Sequence, residues 1–279
     1  KIIGKVMKPS VQQRFQNKRV LITGASSGIG KALALRLAKY NAELCLVARR
    51  EDKLIELKNE ILAQYSNVKV HVITGDVSEE SECKRIISKS VEEMNGLDVL
   101  ILNAGIGCLV RLDEVPESDL SQCQRIMNVN YFANVHLSYY ALNHLKASKG
   151  MIIVNSSLAG IGWSPGRCFY SASKHALRGF FNSLRTEVGD DIQITMTYPG
   201  FVLTEIHDVA YHAEGKALKR GKGFMTADKC AEIMLTGAAN GERDHCMTWL
   251  GSFALKFTPF MGPLSDKIAI RKAKAGISQ

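Results

Sequence analysis

Short apolar runs alternate along the chain with longer stretches whose apolar residues recur at helical spacing. "RVLITG" is a brief β-branched run, and "GKALALRLAKY" directly after it has the period of a helix. "AELCLVAR" repeats the strand signal, and "REDKLIELKNEILAQY" follows as an amphipathic helix. "VKVHVITGD", "LDVLILNAG", "MIIVNSS" and "IQITMTYPG" read as further buried strands. Helical stretches separate them: "SEESECKRIISKSVEEM", "SDLSQCQRIMNVNYFANVHLSYYALNHLK" and "YSASKHALRGFFNSLRTEV". Strands without a polar face, each followed by a helix, predict a parallel sheet covered on both sides. Right-handed crossovers make such a sheet doubly wound. The expected fold class is therefore α/β, a single domain with helices on both faces of the sheet.

The loop "TGASSGIG" sits after the first strand and opens the first helix, at the edge where such sheets bind ligands. Gly24, Gly28 and Gly30 would let backbone approach a pyrophosphate and let the helix pack close to the strand. The helix start offers free N–H groups and partial positive charge to an anion. In this context a phosphate cradle is a better reading than a plain turn. The second strand ends "LVARRED", where dinucleotide folds often carry an acid for the ribose 2′-hydroxyl. Here Ala48 is followed by Arg49 and Arg50, which suit a 2′-phosphate, and Ser26 can add a hydroxyl donor. This predicts NADP(H) rather than NAD(H); the competing reading is that the two arginines cap a surface turn.

Composition narrows the classes. The 279 residues, 46% hydrophobic and 23% charged, are those of an ordinary globular protein with a sizeable core. No apolar run reaches the ~18 residues of a membrane-spanning helix, and there is no signal peptide, repeat or low-complexity tract. The chain opens on Lys1 rather than Met, which leaves room for a processed product and a lost upstream anchor. The seven cysteines are scattered without a CxxC pair, which argues against a disulfide framework or zinc and fits a reducing compartment. The seven histidines show no ligand spacing, His207 and His212 being the closest pair, so no metal is expected.

The net charge of +9 is uneven. Lys1, Lys5, Lys8, Arg14, Lys18 and Arg19 crowd a start that holds no acid before Glu43, and Lys267, Arg271, Lys272 and Lys274 cluster near the end. Such clusters can meet anionic lipid or nucleic acid. Two solvated tails are the favoured reading. A nucleic-acid binder is not expected, since no aromatic platform interleaves with the basic residues.

"YSASK" places Tyr170 and Lys174 four residues apart on one helix face. A tyrosine of pKa ~10 is a poor base at neutral pH, and lowering it by ~3 units needs about 4 kcal/mol favouring the phenolate. A nearby ammonium acts in that direction. In carbonyl reduction the same hydroxyl would be the general acid. Ser157 ends the strand "MIIVNSS", where its hydroxyl can polarise a substrate carbonyl, and alternation turns Ser156 elsewhere. Taken singly, the pair could be simple helix packing and the serine a strand terminator.

Taken in order, Thr23 to Gly30, Asn103 to Gly105, Asn130, Ser157, Tyr170 with Lys174, and Pro199–Gly200 closely resemble the short-chain dehydrogenase/reductase family over residues 17–250. The resemblance implies a single-domain Rossmann fold and a Ser–Tyr–Lys–Asn site. In it Ser157 positions substrate, Tyr170 transfers the proton, and Lys174 lowers the tyrosine pKa and holds the nicotinamide ribose. Asn130, at a local helix break, keeps a relay water. For the cofactor it implies Gly24, Ser26, Ser27, Gly28, Ile29 and Gly30 around the phosphates, with Asp76 and Val77 beside adenine. Asn103, Ala104 and Gly105 lie on the central strand end, while Pro199, Gly200, Val202 and Thr204 approach the nicotinamide. Within the family, "VNSSLAG" and "FYSASKHALRGFFNSLRTE" are similar to the membrane-associated branch of 11β-hydroxysteroid dehydrogenase type 1 and the steroleosins.

That branch implies a lipophilic carbonyl or alcohol substrate, such as a steroid or retinoid, and the family implies a homodimer through the long helices around Asn130 and Tyr170. The expected organisation is a basic extension at 1–16, a catalytic domain at 17–251 with a variable substrate lobe at 205–225, and an apolar-basic tail at 252–279. In the tail and just before it, Trp249, Phe253, Phe257, Phe260 and Met261 would dip into a membrane surface, or else pack on the core or a partner subunit. The expected location is cytoplasmic or on a membrane such as the endoplasmic reticulum or a lipid droplet. The reading of a different class is an NADP(H)-sensing or lipid-surface protein, which would need only the cofactor half of these residues.

Overall fold

The structure is a computed structural model that describes residues 9–207, 210–212, 224–257 and 271. A first helix, α1 (Val11–Phe15), leads into β1 (Arg19–Thr23), α2 (Gly28–Lys39), β2 (Glu43–Ala48), α3 (Glu51–Gln64), β3 (Val70–Thr74), α4 (Glu80–Met94) and β4 (Val99–Leu102). After the short β5 (Cys108–Leu109) come α5 (Gln122–Met127), a π turn at Asn128–Phe132, α6 (Ala133–Ser148), β6 (Met151–Asn155), α7 (Cys168–Val188) and β7 (Gln193–Tyr198). The last described elements are β8 (Val202–Leu203), β9 (Tyr211–His212), β10 (Met225–Thr226), α8 (Ala227–Ala239), β11 (Asp244–Cys246) and α9 (Trp249–Phe257).

Seven parallel strands form the central sheet in the order β11-β7-β6-β4-β1-β2-β3. The order reverses between β1 and β4, so the helices after these strands leave on opposite faces and open a crevice at their carboxyl ends. Strand alternation sorts the core into two layers. Val20, Ile22, Leu44, Leu46, Ile101 and Ile153 face α2, α3 and α8, where Leu33, Leu37, Leu57 and Met234 are buried. Leu21, Cys45, Val47, Leu100, Ile152 and Met196 face α4, α6 and α7, packing on Ile86, Leu137, Leu177 and Phe181. The expected doubly wound α/β domain is present.

Four details differ from the sequence reading. The predicted stretch beginning at Ser118 is not one helix; two turns, α5 and the π turn precede α6. The basic extension is not wholly a solvated tail. Ser10 and Gln13 close a reciprocal capping box on α1, and Phe15 is fully buried. Arg14 donates to Gln193 Oε1 at 2.9 Å, and Arg19 grips Asp98 through Nε–Oδ2 at 2.8 Å and Nη2–Oδ1 at 2.9 Å. These cations found acceptors on β4 and β7 that no local pattern reveals. α8 and β11 extend the domain beyond the strands read from sequence, and α9 runs across the expected boundary at 251.

Trp249 is 82% exposed and Phe253 also faces solvent, whereas Phe260, Met261, Lys267, Lys272 and Lys274 lie outside the described residues, as does the side chain of Phe257. No helix among the described residues is long and apolar enough to cross a membrane. Of the lobe, Glu205–His207 form a turn and β9 pairs with β5, while Gly215, Gly221 and Gly223 lie outside the described residues.

Asp98 ties the start of β4 to β1. Burial pushes its carboxyl up, but the Arg19 hydrogen bonds outweigh that and hold it below the usual carboxylate range. Its contribution is therefore complete above the unfolded carboxylate pKa and is lost as pH falls through the lower folded value. Asp98→Asn is expected to cost about 2 kcal/mol in urea unfolding at pH 7, with the difference from wild type closing below about pH 4.

Candidate active site

The glycine loop is built where three strand ends crowd together. Gly24 and Gly28 take φ values of +66° and +54°, which favour glycine. A Cβ on Gly30 would lie 2.2 Å from the Gly24 carbonyl oxygen, and one on Gly24 would lie 2.9 Å from Ala104 Cα. Asn103 pins this crossing, its Nδ2 donating to Thr23 O at 3.0 Å and Gly24 O at 3.2 Å. Thr23 Oγ1 in turn accepts the backbone N–H groups of Asn103 and Ala104.

Ser27 caps α2 with extended backbone but without a side-chain cap bond, so its hydroxyl does not take the first N–H groups of the helix. Ile29 packs onto the core beneath. Thr204 lies over Gly28, its methyl 3.0 Å from the position a Cβ there would take. Val202 is buried, and Pro199 accepts the Leu158 N–H at 3.0 Å, which binds the end of β7 to the strand end carrying Ser157.

Around the second strand end, Arg50 Nη2 donates to Ser26 Oγ and to Glu205 Oε2, both at 3.1 Å. Arg49 lies 3.7 Å from Asp76, which also accepts from Ser78, and Val77 is buried beside it. The predicted arginines and Ser26 thus meet at one mouth of the crevice. A loop without room for a Cβ, a helix start unclaimed by its cap, and paired arginine and serine donors fit a phosphorylated dinucleotide.

Tyr170, Lys174 and Ser157 gather on the other side of Asn103. Tyr170 and Lys174 sit one turn apart on α7, both buried. Tyr170 stands beside Ser157, whose Oγ accepts the Ala159 N–H at 3.1 Å. Lys174 Nζ lies 5.7 Å from the Tyr170 ring centroid and donates to Asn155 O at 3.1 Å. Asn155 Nδ2 donates to Asn103 Oδ1 at 2.9 Å, so a continuous hydrogen-bonded path joins Lys174 to the glycine loop. Ser156 is buried with its hydroxyl unpartnered, its Oγ close to Gly160.

Asn130 lies in the π turn, the interruption expected of it. Its Nδ2 donates to Ile106 O at 3.0 Å and to Ser173 Oγ at 3.1 Å, while Oδ1 accepts the Ile106 N–H at 2.8 Å. Both side-chain donors are committed to clamping the loop after β4 onto α7. The side chain lies 3.2 Å from where a Cβ on Gly105 would stand.

Burial raises the Tyr170 pKa, with the nearby Ser157 hydroxyl and the charge of Arg167 acting the other way. Burial also brings Lys174 down to about 8, and its ammonium is turned to a backbone carbonyl. Sequence reasoning missed Asn155, Ser173 and Arg167, although Arg167 stands only three residues before Tyr170.

Comparison with known proteins bears on the family and the fold. A family model described as short chain dehydrogenase matches residues 18–215. The dehydrogenase/reductase SDR family protein 7-like of Dictyostelium discoideum is 40% identical over 253 residues, covering 89% of this chain and 79% of its own. An 11-beta-hydroxysteroid dehydrogenase-like 2 protein of Arabidopsis thaliana is 37% identical over 86% of this chain and 78% of its own. An alcohol dehydrogenase from Thermococcus sibiricus, complexed with 5-hydroxy-NADP, superposes with a TM-score of 0.73 at 27% identity, over 82% of this chain and 95% of that one. A short-chain dehydrogenase/reductase from Burkholderia phymatum in complex with NAD has a TM-score of 0.79 at 22% identity, over 90% of this chain and 96% of that one, and shares the fold.

The crowding at the loop is testable without ligand. Gly30→Ala must displace backbone and is expected to cost about 1–3 kcal/mol in urea unfolding. Gly179→Ala on α7, where a Cβ would meet nothing within 4 Å, should be neutral or gain up to about 1 kcal/mol.

Proposed function

This chain belongs to the short-chain dehydrogenase family of oxidoreductases, and we propose that it interconverts a carbonyl and an alcohol on a lipophilic substrate with NADP(H). The observation that carries this reading is Tyr170, buried beside Ser157 and one turn from Lys174, at the same sheet edge as the glycine cradle. When bound, the nicotinamide dinucleotide supplies or accepts the hydride. The chain's own residues handle the oxygen and its proton.

In reduction, the Ser157 hydroxyl donates a hydrogen bond to the substrate carbonyl oxygen, and Tyr170 delivers its phenolic proton to that oxygen. At neutral pH the buried phenol carries the proton this step requires. Lys174, anchored on Asn155 O, holds its charge close to the ring. Asn130 fixes α7 against the loop after β4, so the tyrosine is presented from rigid elements rather than from a loop.

Two further observations support the finer terms. Arg50 and Ser26 are already within hydrogen-bond distance of each other where a 2′-phosphate would lie, and no acid ends β2. Trp163, Phe201, Leu203 and Trp249 are exposed apolar side chains, and Phe201 and Leu203 follow directly on the end of β7, where an apolar surface suits a lipophilic substrate.

Kinetics with both nucleotides test the reading. NADPH is expected to be consumed with aldehydes, ketones or steroid carbonyls at a kcat/KM well above that with NADH. Arg50→Ala should raise KM for NADPH by about 10–100-fold and move that for NADH far less. Equal use of the two nucleotides by wild type would remove the NADP(H) assignment.

A further inference from the structure

Arg167 has no part in the proton transfer described above, yet it stands beside it. It caps α7 three residues before Tyr170, with its guanidinium carbon 5.7 Å from the Tyr170 ring centroid and 5.6 Å from that of Phe201. Together with Tyr170 it lines a recess whose other walls include Cys108, Leu109 and Ile206. Two ring faces stabilise its charge but leave the guanidinium fork, with its five N–H donors, without a carboxylate. No carboxylate among the described residues pairs with it, whereas Arg49, Arg50 and Arg111 each pair with one. Glu205 is taken by Arg50 and Asp119 by the Tyr211 hydroxyl. A partly buried cation in an apolar recess is costly until an anion joins it.

We propose that Arg167 determines specificity by receiving a carboxylate on the substrate, so that the chain acts on lipophilic carbonyl compounds bearing a carboxylate a few bonds from the reacting carbon. A single planar guanidinium matches a carboxylate monoanion bidentately; a phosphate dianion would call for a second permanent cation, and beside Arg167 the described lining offers the imidazole of His212 but no lysine or second arginine. Arg167 holds the acid end, apolar walls receive the hydrocarbon, and the carbonyl is left against Ser157 and Tyr170. The proposal rests on the reading of Tyr170 and Ser157 given above.

The test compares 4-oxo fatty acids of graded length with their methyl esters, using NADPH and wild type, Arg167→Lys and Arg167→Gln. Wild type is expected to prefer acid over ester by about ten-fold or more in kcat/KM. Arg167→Gln should collapse that ratio toward one, mainly through KM for the acid, and Arg167→Lys should keep part of it. A merely structural role would lower acid and ester alike. Equal rates for acid and ester in wild type, a preference that survives Arg167→Gln, or turnover confined to neutral ketones would each overturn the proposal and leave the oxidoreductase reading standing. If no carbonyl of any kind is reduced although NADPH quenches protein fluorescence on binding, the reading beneath it falls, and the proposal with it.

Discussion

The structure depends on how closely β1, α2 and β4 approach at the carboxyl edge of the sheet. Gly24 and Gly30 allow it, and Asn103 holds it by donating to two carbonyls of the crossing. Any Cβ at Gly30 would press into backbone, so this contact sets the shape of the loop that opens α2. The same Asn103 accepts from Asn155, and Asn155 accepts from Lys174. A packing constraint among three elements therefore also fixes where the buried ammonium stands. Cradle and Lys174 are two ends of one hydrogen-bonded path.

Burial then sets the chemistry. Two ionisable groups one helical turn apart, both out of solvent, move toward their neutral forms: the phenol upward, the ammonium down to about 8. Its rigidity comes from Asn130, whose amide ties Ile106 and Ser173 together across the π turn. The arginines around the crevice differ in what they have left to bind. Arg49 and Arg50 face acids and a serine at the second strand end, while Arg167 faces two aromatic rings.

Much of this was legible from residue order. Strands buried on both faces announce themselves as unbroken apolar runs, and β1, β2, β4, β6 and β7 fall where "RVLITG", "AELCLVAR", "LDVLILNAG", "MIIVNSS" and "IQITMTYPG" stand. The glycine spacing and the Tyr170–Lys174 interval gave the two halves of the site because their geometry is local. What escaped was non-local or short. Arg19 meets Asp98 across 79 positions, and Arg14 meets Gln193 across 179. β11 has three residues and no periodicity to show. α8 was readable, since Thr226 caps it and Cys230, Ala231, Met234, Leu235 and Ala238 form its buried stripe. The pKa direction of Tyr170 escaped for another reason: a motif shows that a cation is near but not how deeply both groups are buried.

The central claim is that Tyr170 donates the proton to the substrate oxygen. The measurement that tests it most directly is the rate of carbonyl reduction by Tyr170→Phe, with NADPH binding followed by fluorescence in the same preparation. The account predicts a fall in kcat of about 10²–10⁴-fold with NADPH affinity within a few-fold of wild type. Reduction at close to the wild-type rate by the bound variant would contradict it, and another group would then have to carry the proton.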